Sequence, residues 1–287
     1  MSDGWIACSR SRKCPICGKP DWCSVSEDGT TVHCHRVMSD HPTATGYIHV
    51  VKPDTTPIAR NPVPAIPNVG ERLFSAQLYW QRLDDMHDRY GLDGLAVELG
   101  VDIDALARLQ PRYGRHARGD ETEWAWAWPM RDGGGRMVGI RLRNSDGEKW
   151  AVKYSRQGLF YDTSITSAEE VMVLEGPTDT SAAMTLGFTA VGRPSCMGCH
   201  EELKALFKRW RTRRMIVVAD NDSPKKRPDG SVWYPGRDGA IRLVKAMGVE
   251  YRMLMTPPKD IRKWVCQGAT RKQVDDVIDM LIWRLPS

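Results

Sequence analysis

Two short apolar runs that end in acidic residues constrain the fold of this chain more than any other part of its sequence. The runs are VMVLEGPTD at residues 171–179 and MIVVADND at residues 215–222. Each run is valine-rich and too short for a free-standing helix, which is typical of a buried parallel strand. Open α/β sheets build their sites at the carboxyl ends of such strands. The sequence therefore predicts a parallel sheet whose edge carries the acids.

The residues between and after these runs alternate between helical and extended patterns. Helices are predicted at residues 178–186 and 201–210, with a strand at 189–191 between them. A helix at 238–247 and a strand at 252–255 follow, and an amphipathic helix ends the chain. This order of elements predicts a crossover α/β unit.

Four acids of this unit, Glu175, Asp179, Asp220 and Asp222, are expected at one edge of the sheet. Carboxylates crowded together repel unless cations lie between them, and Mg²⁺ prefers oxygen ligands of this kind. Such a metal centre suits phosphoryl chemistry, in which divalent ions neutralise charge on the attacking and leaving oxygens. A set of helix-capping acids and a surface turn is the alternative.

At these positions the sequence resembles the Toprim family. Glu175 with Gly176 and Asp179 is similar to the first motif of that family, and Asp220 with Asp222 is similar to the second. The family includes primases, topoisomerases, nucleases and recombination mediators, so the other parts of the chain must distinguish among these activities.

Residues 1–50 contain few large aliphatic side chains, so a bound metal would have to stabilise their fold. Of the eight cysteines in the chain, four lie between positions 14 and 34. The C-x₂-C knuckle of Cys14 and Cys17 is followed by two strand-like runs. This pattern predicts a zinc ribbon rather than a set of disulfides.

Hairpin geometry predicts which side chains bind the zinc ion. The dipeptide at positions 28–29 is Asp-Gly, which favours a tight turn. Counting outward from that turn pairs Cys23 with Cys34, and directly opposed β carbons lie roughly 4.5–5.5 Å apart. A one-residue shift of register would turn His35 inward instead, so His35 is the alternative to Cys23. The predicted zinc ligands are Cys14, Cys17, Cys23 and Cys34.

Residues 51–70 contain five prolines and little apolar periodicity, which predicts a linker. Residues 71–166 are predicted to begin with a helix at 71–90 and two short core-supporting helices within 92–109. Residues 167–287 contain the parallel-sheet unit. The expected fold class is therefore a multidomain α/β protein, in which a proline-rich linker joins the ribbon to a larger core.

Within residues 123–156, the stretch WAWAWPMRDGGGRMVGIRLR alternates with a period of two and turns at 133–135, which predicts antiparallel strands. Arg141 and Arg143 share one strand face. A basic face beside an acidic metal centre suits a nucleic-acid strand, although a solvated strand face is the alternative. A second basic run, at residues 208–214, has the pattern of a solvated helix end. The candidate ligands of nucleic acid or nucleotide are Arg131, Arg141, Arg143, Lys149, Lys153, Arg156, Lys225 and Lys226.

The order of these segments resembles that of bacterial and phage DNA primases. The ribbon is similar to the zinc-binding domain that precedes the catalytic core in that family, but Val37 stands where the family usually has its last ligand cysteine. The stretch WPMRDGGGRMVGIRLR, followed by KWAVKYSRQGLFY and EGPTD, is similar to the first half of the core. The resemblance implies template or nucleotide contacts for Arg131, Arg141, Arg143 and Lys153. It also implies a further metal-proximal acid at Asp260.

The resemblance implies a primase that makes short RNA primers on single-stranded DNA from ribonucleoside triphosphates. Mg²⁺ or Mn²⁺ would be held by Glu175, Asp220 and Asp222, with Asp179 and Asp260 nearby. No room for a helicase domain follows the last predicted helix, so the expected helicase partner is a separate chain. A Toprim-type nuclease and a non-catalytic single-stranded-DNA-binding accessory are the alternatives.

Composition adds limits on location and partners. The amino terminus lacks the apolar core of a signal peptide, and no run approaches the roughly 20 apolar residues of a membrane span. The net charge of +5 is compatible with a polyanionic partner without requiring one. We therefore expect a cytoplasmic protein that associates with the nucleoid and not with a membrane.

Overall fold

The computed structural model describes residues 4–51, 74–83, 91–119, 121–227 and 229–285. The chain divides into two compact units, residues 1–66 and 67–287. Each unit is described separately below. Residues 52–70 of the predicted linker lie outside the described residues, as do residues 71–73 and 84–90 of the first predicted helix.

The amino-terminal unit is an antiparallel sheet of four short strands. They are β1 (Trp5–Ala7), β2 (Ser24–Ser26), β3 (Thr31–Cys34) and β4 (Tyr47–Val50), and they lie side by side in chain order. The buried core of the described part of this unit consists of one aliphatic residue, Val32, and the cysteines Cys8, Cys14, Cys23 and Cys34. So small an apolar core is compatible with a unit that a bound metal would stabilise.

Three short helices begin the described part of the larger unit. They are α1 (Ala76–Gln81), α2 (Leu92–Leu99) and α3 (Ile103–Ala107). Leu95 of α2 and Leu106 of α3 are buried in the main core. The two helices therefore support the core, as the sequence predicts.

A four-stranded antiparallel sheet follows these helices. Its strands are β5 (Arg112–Arg118), β6 (Glu121–Arg131), β7 (Met137–Arg143) and β8 (Lys149–Ala151), in that spatial order. The sequence does not predict strand β5, because its residues, RYGRHAR, show no alternation of apolar and polar side chains. Its pairing along the whole length of β6 supplies the order that its own side chains do not indicate.

The two faces of this sheet are covered by different helices. Ile140 and Leu142 of β7 are fully buried, and they form one core with Trp80 of α1. Trp126 and Trp128 point to the opposite face and enter the core that α2 and α3 share. Both faces of the sheet are therefore packed over part of their area.

The second sheet is mostly parallel and has five strands. Its strands are β9 (Phe160–Tyr161), β10 (Glu170–Glu175), β11 (Ala190–Arg193), β12 (Arg214–Ala219) and β15 (Glu250–Met255). Their spatial order is β15-β12-β10-β11-β9, with only β9 antiparallel. Between β12 and β15 in the chain, β13 (Lys225–Lys226) and β14 (Val232–Trp233) form a separate small hairpin. The two acid-ending runs, β10 and β12, are direct neighbours, as the sequence predicts.

Helices cover both faces of the parallel sheet. They are α4 (Gly176–Thr185), α5 (His200–Trp210), α6 (Pro235–Met247), α7 (Ile261–Cys266) and α8 (Arg271–Asp279). Val171 and Val173 of β10 enter the core formed with α5 and α6. Met172 and Leu174 enter the core formed with α4, α7 and α8. The strand is apolar throughout because alternate side chains enter two different cores.

Several helix boundaries differ from the sequence prediction. The helix predicted at 71–90 is helical only over Ala76–Gln81 among its described residues, and α4 begins at Gly176 rather than at residue 178. Two further differences have a clear physical cause. Helix α6 begins at Pro235 rather than at residue 238, because proline is well suited to the first turn of a helix. Helix α8 ends at Asp279, whereas the helical pattern continues beyond it. There Arg284 exchanges two backbone hydrogen bonds with Tyr251, each 2.9 Å long, which holds the last residues in an extended form. No helix among the described residues is long and apolar enough to cross a membrane.

Candidate functional site

Four cysteine sulfurs converge in the amino-terminal unit. The Sγ atoms of Cys14, Cys17, Cys23 and Cys34 all lie within 4.8 Å of one another. The distance from Cys23 to Cys17 is 3.7 Å, and that from Cys23 to Cys34 is 3.9 Å. Two sulfurs bound to one tetrahedral zinc ion at 2.3 Å would be about 3.8 Å apart. The four thiols therefore fit a structural zinc site.

The hairpin register explains why Cys23 belongs to this cluster. Strand β2 pairs Ser24 with His33, which brings the preceding Cys23 beside Cys34. The ring of His35 lies 4.5 Å from that of His33 and takes no part in the cluster. The structure thus favours the cysteine over the histidine as the remaining ligand.

Backbone groups prepare Cys34 to be a thiolate. A hydrogen bond from the Cys23 thiol, with those from the N–H groups of Arg36 and Val37, lowers the pKa of Cys34 to about 5. Val37 stands where the primase resemblance places a cysteine. Here it contributes its N–H to the sulfur of Cys34, at 3.3 Å.

The acids of the larger unit lie at the carboxyl ends of neighbouring strands. Glu175 is the last residue of β10, and Asp220 and Asp222 follow the end of β12. The parallel register pairs Val173 with Val217, so the two strands end at nearly the same level. The acids therefore lie at one edge of the sheet.

A sharp turn after Glu175 adds Asp179 to the same edge. Gly176 has φ +74°, which a residue with a side chain rarely adopts, and Pro177 then starts α4. One turn later Asp179 is 7% exposed and accepts a hydrogen bond from the backbone N–H of Arg262 at 3.3 Å. The EGPTD sequence thus sends the chain from strand into helix and places two carboxylates together.

Asp260 lies near enough to these acids for its charge to act on Asp179 and Asp220. It is the N-cap of α7 and accepts a hydrogen bond from the N–H of Lys263 at 2.7 Å. Arg262, in the first turn of that helix, is the residue whose N–H reaches Asp179. Helix α7 therefore carries one acid and binds another.

Burial and mutual repulsion change the pKa values of these acids. Burial, with the charges of Glu175, Asp179, Asp222 and Asp260, raises the pKa of Asp220 to about 8. Burial and Asp260 raise the pKa of Asp179 to about 6. Burial also raises the pKa of Glu175. Crowded carboxylates of this kind favour the binding of a hard divalent cation, whose charge would relieve the repulsion.

The carboxylate oxygens are not as close together as the cysteine sulfurs. Among the described residues, the four cysteines are the only group of three or more cysteine, histidine, aspartate or glutamate side chains close enough to share one ion as they stand. The donor type and electrostatics of the acids fit Mg²⁺ or Mn²⁺, and side-chain rotation is needed to bring the oxygens to one ion.

The basic strands reach this edge through Lys149, which lies opposite Arg143 in the β7–β8 pair. Lys149 is open to solvent on one side. Desolvation by the surrounding protein lowers the pKa of Lys149, and the positive charges of Arg141 and Arg143 lower it further. The negative charge of Asp179 raises it. The charges of the basic sheet and of the acids therefore interact directly.

The predicted nucleic-acid ligands differ in how open they are. Arg143 forms an ion pair with Glu98 at 2.8 Å and is only 15% exposed, and Arg131 donates to Gln110 at 2.6 Å. Both side chains are engaged within the protein. The exposed candidates are Lys149, Lys153, Arg156, Lys225 and Lys226.

Arg193 is a residue of this site that sequence reasoning missed. It ends β11, directly opposite Glu175, and is 2% exposed. Its guanidinium donates to the carbonyl of Cys196 at 3.0 Å, and its charge opposes the rise that burial causes in the pKa of Glu175. The predicted strand stopped at residue 191. A charged residue directly after a buried strand was the signal available in the sequence.

Sequence comparison finds no family profile and no curated protein that matches this chain. Comparison with solved structures defines the class of fold, which is that of the primase catalytic core.

Three solved structures illustrate this likeness. The DnaG primase catalytic domain bound to single-stranded DNA has 14% identity and a TM-score of 0.54, covering 75% of this chain and 81% of that one. The Aquifex aeolicus primase, with zinc-binding and RNA polymerase domains, has 13% identity and a TM-score of 0.55, covering 74% of this chain and 63% of that one. A DNA primase domain from Pseudomonas aeruginosa has 17% identity and a TM-score of 0.52, covering 72% and 76%.

Proposed function

We propose that this protein is a DNA primase, a nucleotidyltransferase that synthesises short RNA primers on single-stranded DNA. The observation that carries the proposal is the meeting of five carboxylates at one edge of a parallel sheet, within a fold shared with primase catalytic cores. A basic sheet whose charges act on the same acids supports it. The substrates would be ribonucleoside triphosphates.

Glu175, Asp220 and Asp222 would hold Mg²⁺ or Mn²⁺, which supplies charge neutralisation for the phosphoryl oxygens when bound. Asp179 and Asp260 would complete the negative field around these ligands and keep α7 in place through the N–H of Arg262. The protein's own part is to hold these oxygens on rigid strand and helix ends, so that little rearrangement is needed on binding.

The exposed cations would bind the anionic substrates. Lys149 is beside the acids, which suits it to the triphosphate, and Lys225 and Lys226 follow the second acidic motif. Lys153 and Arg156 lie after the last basic strand, where they suit contacts with the template backbone. Arg141 would support these contacts from the partly covered sheet face.

The remaining assignments follow from the same proposal. Residues 1–50 would be a zinc ribbon that contacts the template and residues 51–70 a linker. Residues 71–166 and 167–287 would form the two halves of the catalytic core. Zinc bound by the four cysteines would be structural, because all four positions of a tetrahedral site are protein sulfurs. Such a primase would work with a replicative helicase.

The test is primer synthesis by the full chain on single-stranded templates with labelled ribonucleotides and Mg²⁺ or Mn²⁺. Short RNA products are expected from the wild type and from Asp229→Asn, a control at an exposed acid in the loop after β13. Asp222→Asn should make none. Cut template ends would instead identify a nuclease, and binding without products would identify an accessory protein.

A further inference from the structure

A basic cleft lies at the amino-terminal end of β12, at the opposite end of that strand from the carboxylates. Its volume is about 430 Å³, and its walls are the end of α5, the turn that follows it and the residues at the end of α6. Its described lining has no acidic side chain. The cations that line this basic cleft are Lys204, Lys208, Arg211 and Arg213.

Most of these cations lack an acidic partner. Lys204 pairs with Glu201 at 2.8 Å. Within the described parts of the chain, Lys208, Arg211 and Arg213 form no ion pair. The backbone of Arg213 contacts Glu169, but the carboxylates at 169–170 pair with Arg214, which does not line the cleft. Three positive charges therefore line the cleft without neutralisation.

The cleft is held in shape by backbone hydrogen bonds. Arg211 ends α5 with φ +59°, a conformation unfavourable for a residue with a side chain. The hydroxyl of Thr212 donates to the carbonyl of Ala168 at 2.8 Å, and the N–H of Arg213 donates to the carbonyl of Glu169 at 2.9 Å. The turn is thus fixed to the segment before β10, and the cations are presented by rigid backbone.

The arrangement exceeds what helix stability requires. A cation in the last turn of a helix stabilises its dipole, which accounts for Lys208 but not for Arg211 and Arg213, which lie beyond the helix. Lys204 and Lys208 are four residues apart and share one side of α5, and Arg211 directly follows the last residue of that helix. They extend over about 10 Å. A row of that length matches a series of phosphates better than a single anion.

We propose that the basic cleft binds the phosphate backbone of single-stranded nucleic acid, as a second contact separate from the carboxylate edge. Six strand residues separate the two places, which is about 20 Å along the sheet. The proposal rests on the proposed function only in taking single-stranded DNA as the ligand. A strand that occupies the carboxylate edge and continues around the sheet would contact both places.

The test is fluorescence anisotropy of the full chain with oligo(dT) of about 30 nucleotides, which exceeds a single-strand site of 4–16, at several salt concentrations. The cleft variant is Lys208→Gln, Arg211→Gln and Arg213→Gln combined. The control removes three exposed cations elsewhere, in the combined substitution Arg108→Gln, Arg136→Gln and Lys272→Gln. Each single-strand phosphate contact contributes about 0.7 to the slope of log K against log salt, so the cleft variant should lower that slope by about 2. The control should leave the slope unchanged.

A third variant, Lys153→Gln with Arg156→Gln, separates this proposal from the proposed function. If both regions bind one strand, the slope decrements of the cleft and strand variants should add when the substitutions are combined. A decrement in the cleft variant alone would keep the cleft and reject the template path proposed above. An unchanged slope in the cleft variant would overturn the cleft proposal. A decrease in slope of equal size in the cleft variant and in the control would overturn it as well. In either case an acidic protein would remain as the candidate partner of the basic cleft.

Discussion

Glu175 and Arg193 lie directly opposite each other on the neighbouring parallel strands β10 and β11. The guanidinium of Arg193 is buried and forms no ion pair with any described residue, yet its charge opposes the effect of burial on the pKa of Glu175. Arg193 is therefore an internal counter-ion of the carboxylate edge. A bound divalent cation and this arginine would serve the same electrostatic purpose.

We expect Arg193→Met to destabilise the metal-free protein by about 3 kcal/mol, because the partly buried Glu175 loses the largest compensating charge that acts on it. Added Mg²⁺ or Mn²⁺ should then raise the melting temperature more in this variant than in the wild type. Arg252→Met is the matched control. Arg252, on β15, is also largely buried, but it forms an ion pair with Asp279 on α8. Equal metal-dependent shifts in the two variants would show that Arg193 does not compensate these acids.

The raised pKa values predict how the stability of the metal-free protein depends on pH. Asp220 and Asp179 have folded-state pKa values of about 8 and about 6, above the ordinary aspartate value of 3.8. The folded state thus binds protons that the unfolded chain has released, so the free energy of unfolding should fall as pH rises from about 4 to about 8. Each unit of pKa shift is worth about 1.4 kcal/mol, so the two shifts set an upper limit of about 9 kcal/mol on the loss, which urea unfolding at several pH values without added Mg²⁺ or Mn²⁺ would measure.

Asp220→Asn provides the check on that pH dependence. It removes the acid with the highest pKa, so the decline in stability between pH 6 and pH 8 should become shallower. A curve as steep as that of the wild type would place the titrating groups elsewhere in the chain.

We expect Asp222→Asn to abolish primer synthesis while the Kd for single-stranded DNA changes less than about twofold. The reason is that phosphate contacts come from cations and not from the acids. Filter binding at fixed salt measures the Kd, and Asp229→Asn again serves as the control. A comparable loss of DNA affinity in Asp222→Asn would contradict this division of roles.

Zinc content separates the ligand Cys23 from its alternative His35. Cys23→Ser should lose most of the zinc and unfold the ribbon, because one of four sulfurs is removed from the cluster. His35→Ala should keep the wild-type zinc content, since that ring lies against His33. Zinc retained by the cysteine variant and lost by the histidine variant would reject the four-cysteine site.

The strands that carry the acids were predictable because β10 and β12 are buried on both faces. Complete burial leaves an uninterrupted apolar run such as Val171–Leu174, and such a run is visible in sequence. The antiparallel strands β6 and β7 were predictable for a different reason, which is a period of two: large tryptophans alternate with alanines in β6, and apolar residues alternate with arginines in β7. Strand β5 has neither signal, because its place depends on pairing with β6 and not on its own side chains.

The candidate site was less visible where it depends on contacts distant in sequence. Nothing local indicates that Arg193 faces Glu175, because that relation arises from the register of two strands separated by a helix. The pairing of Arg143 with Glu98 joins residues 45 positions apart, and it reduces the open basic face that the strand pattern predicts. Helix α8 also stops at Asp279 for a reason outside its own periodicity, which is the pairing of Arg284 with Tyr251.

The alternate packing of β10 has a consequence for how this site tolerates change. Val171 and Val173 occupy one core, and Met172 and Leu174 occupy the other. Inserting or deleting a single residue before Glu175 would exchange these two sets and disturb the helices on both sides at once. We therefore expect a substitution at position 175 to disturb the fold less than an insertion or deletion in the strand before it. Changes in length near the site should be tolerated only in the loops beyond the strand ends.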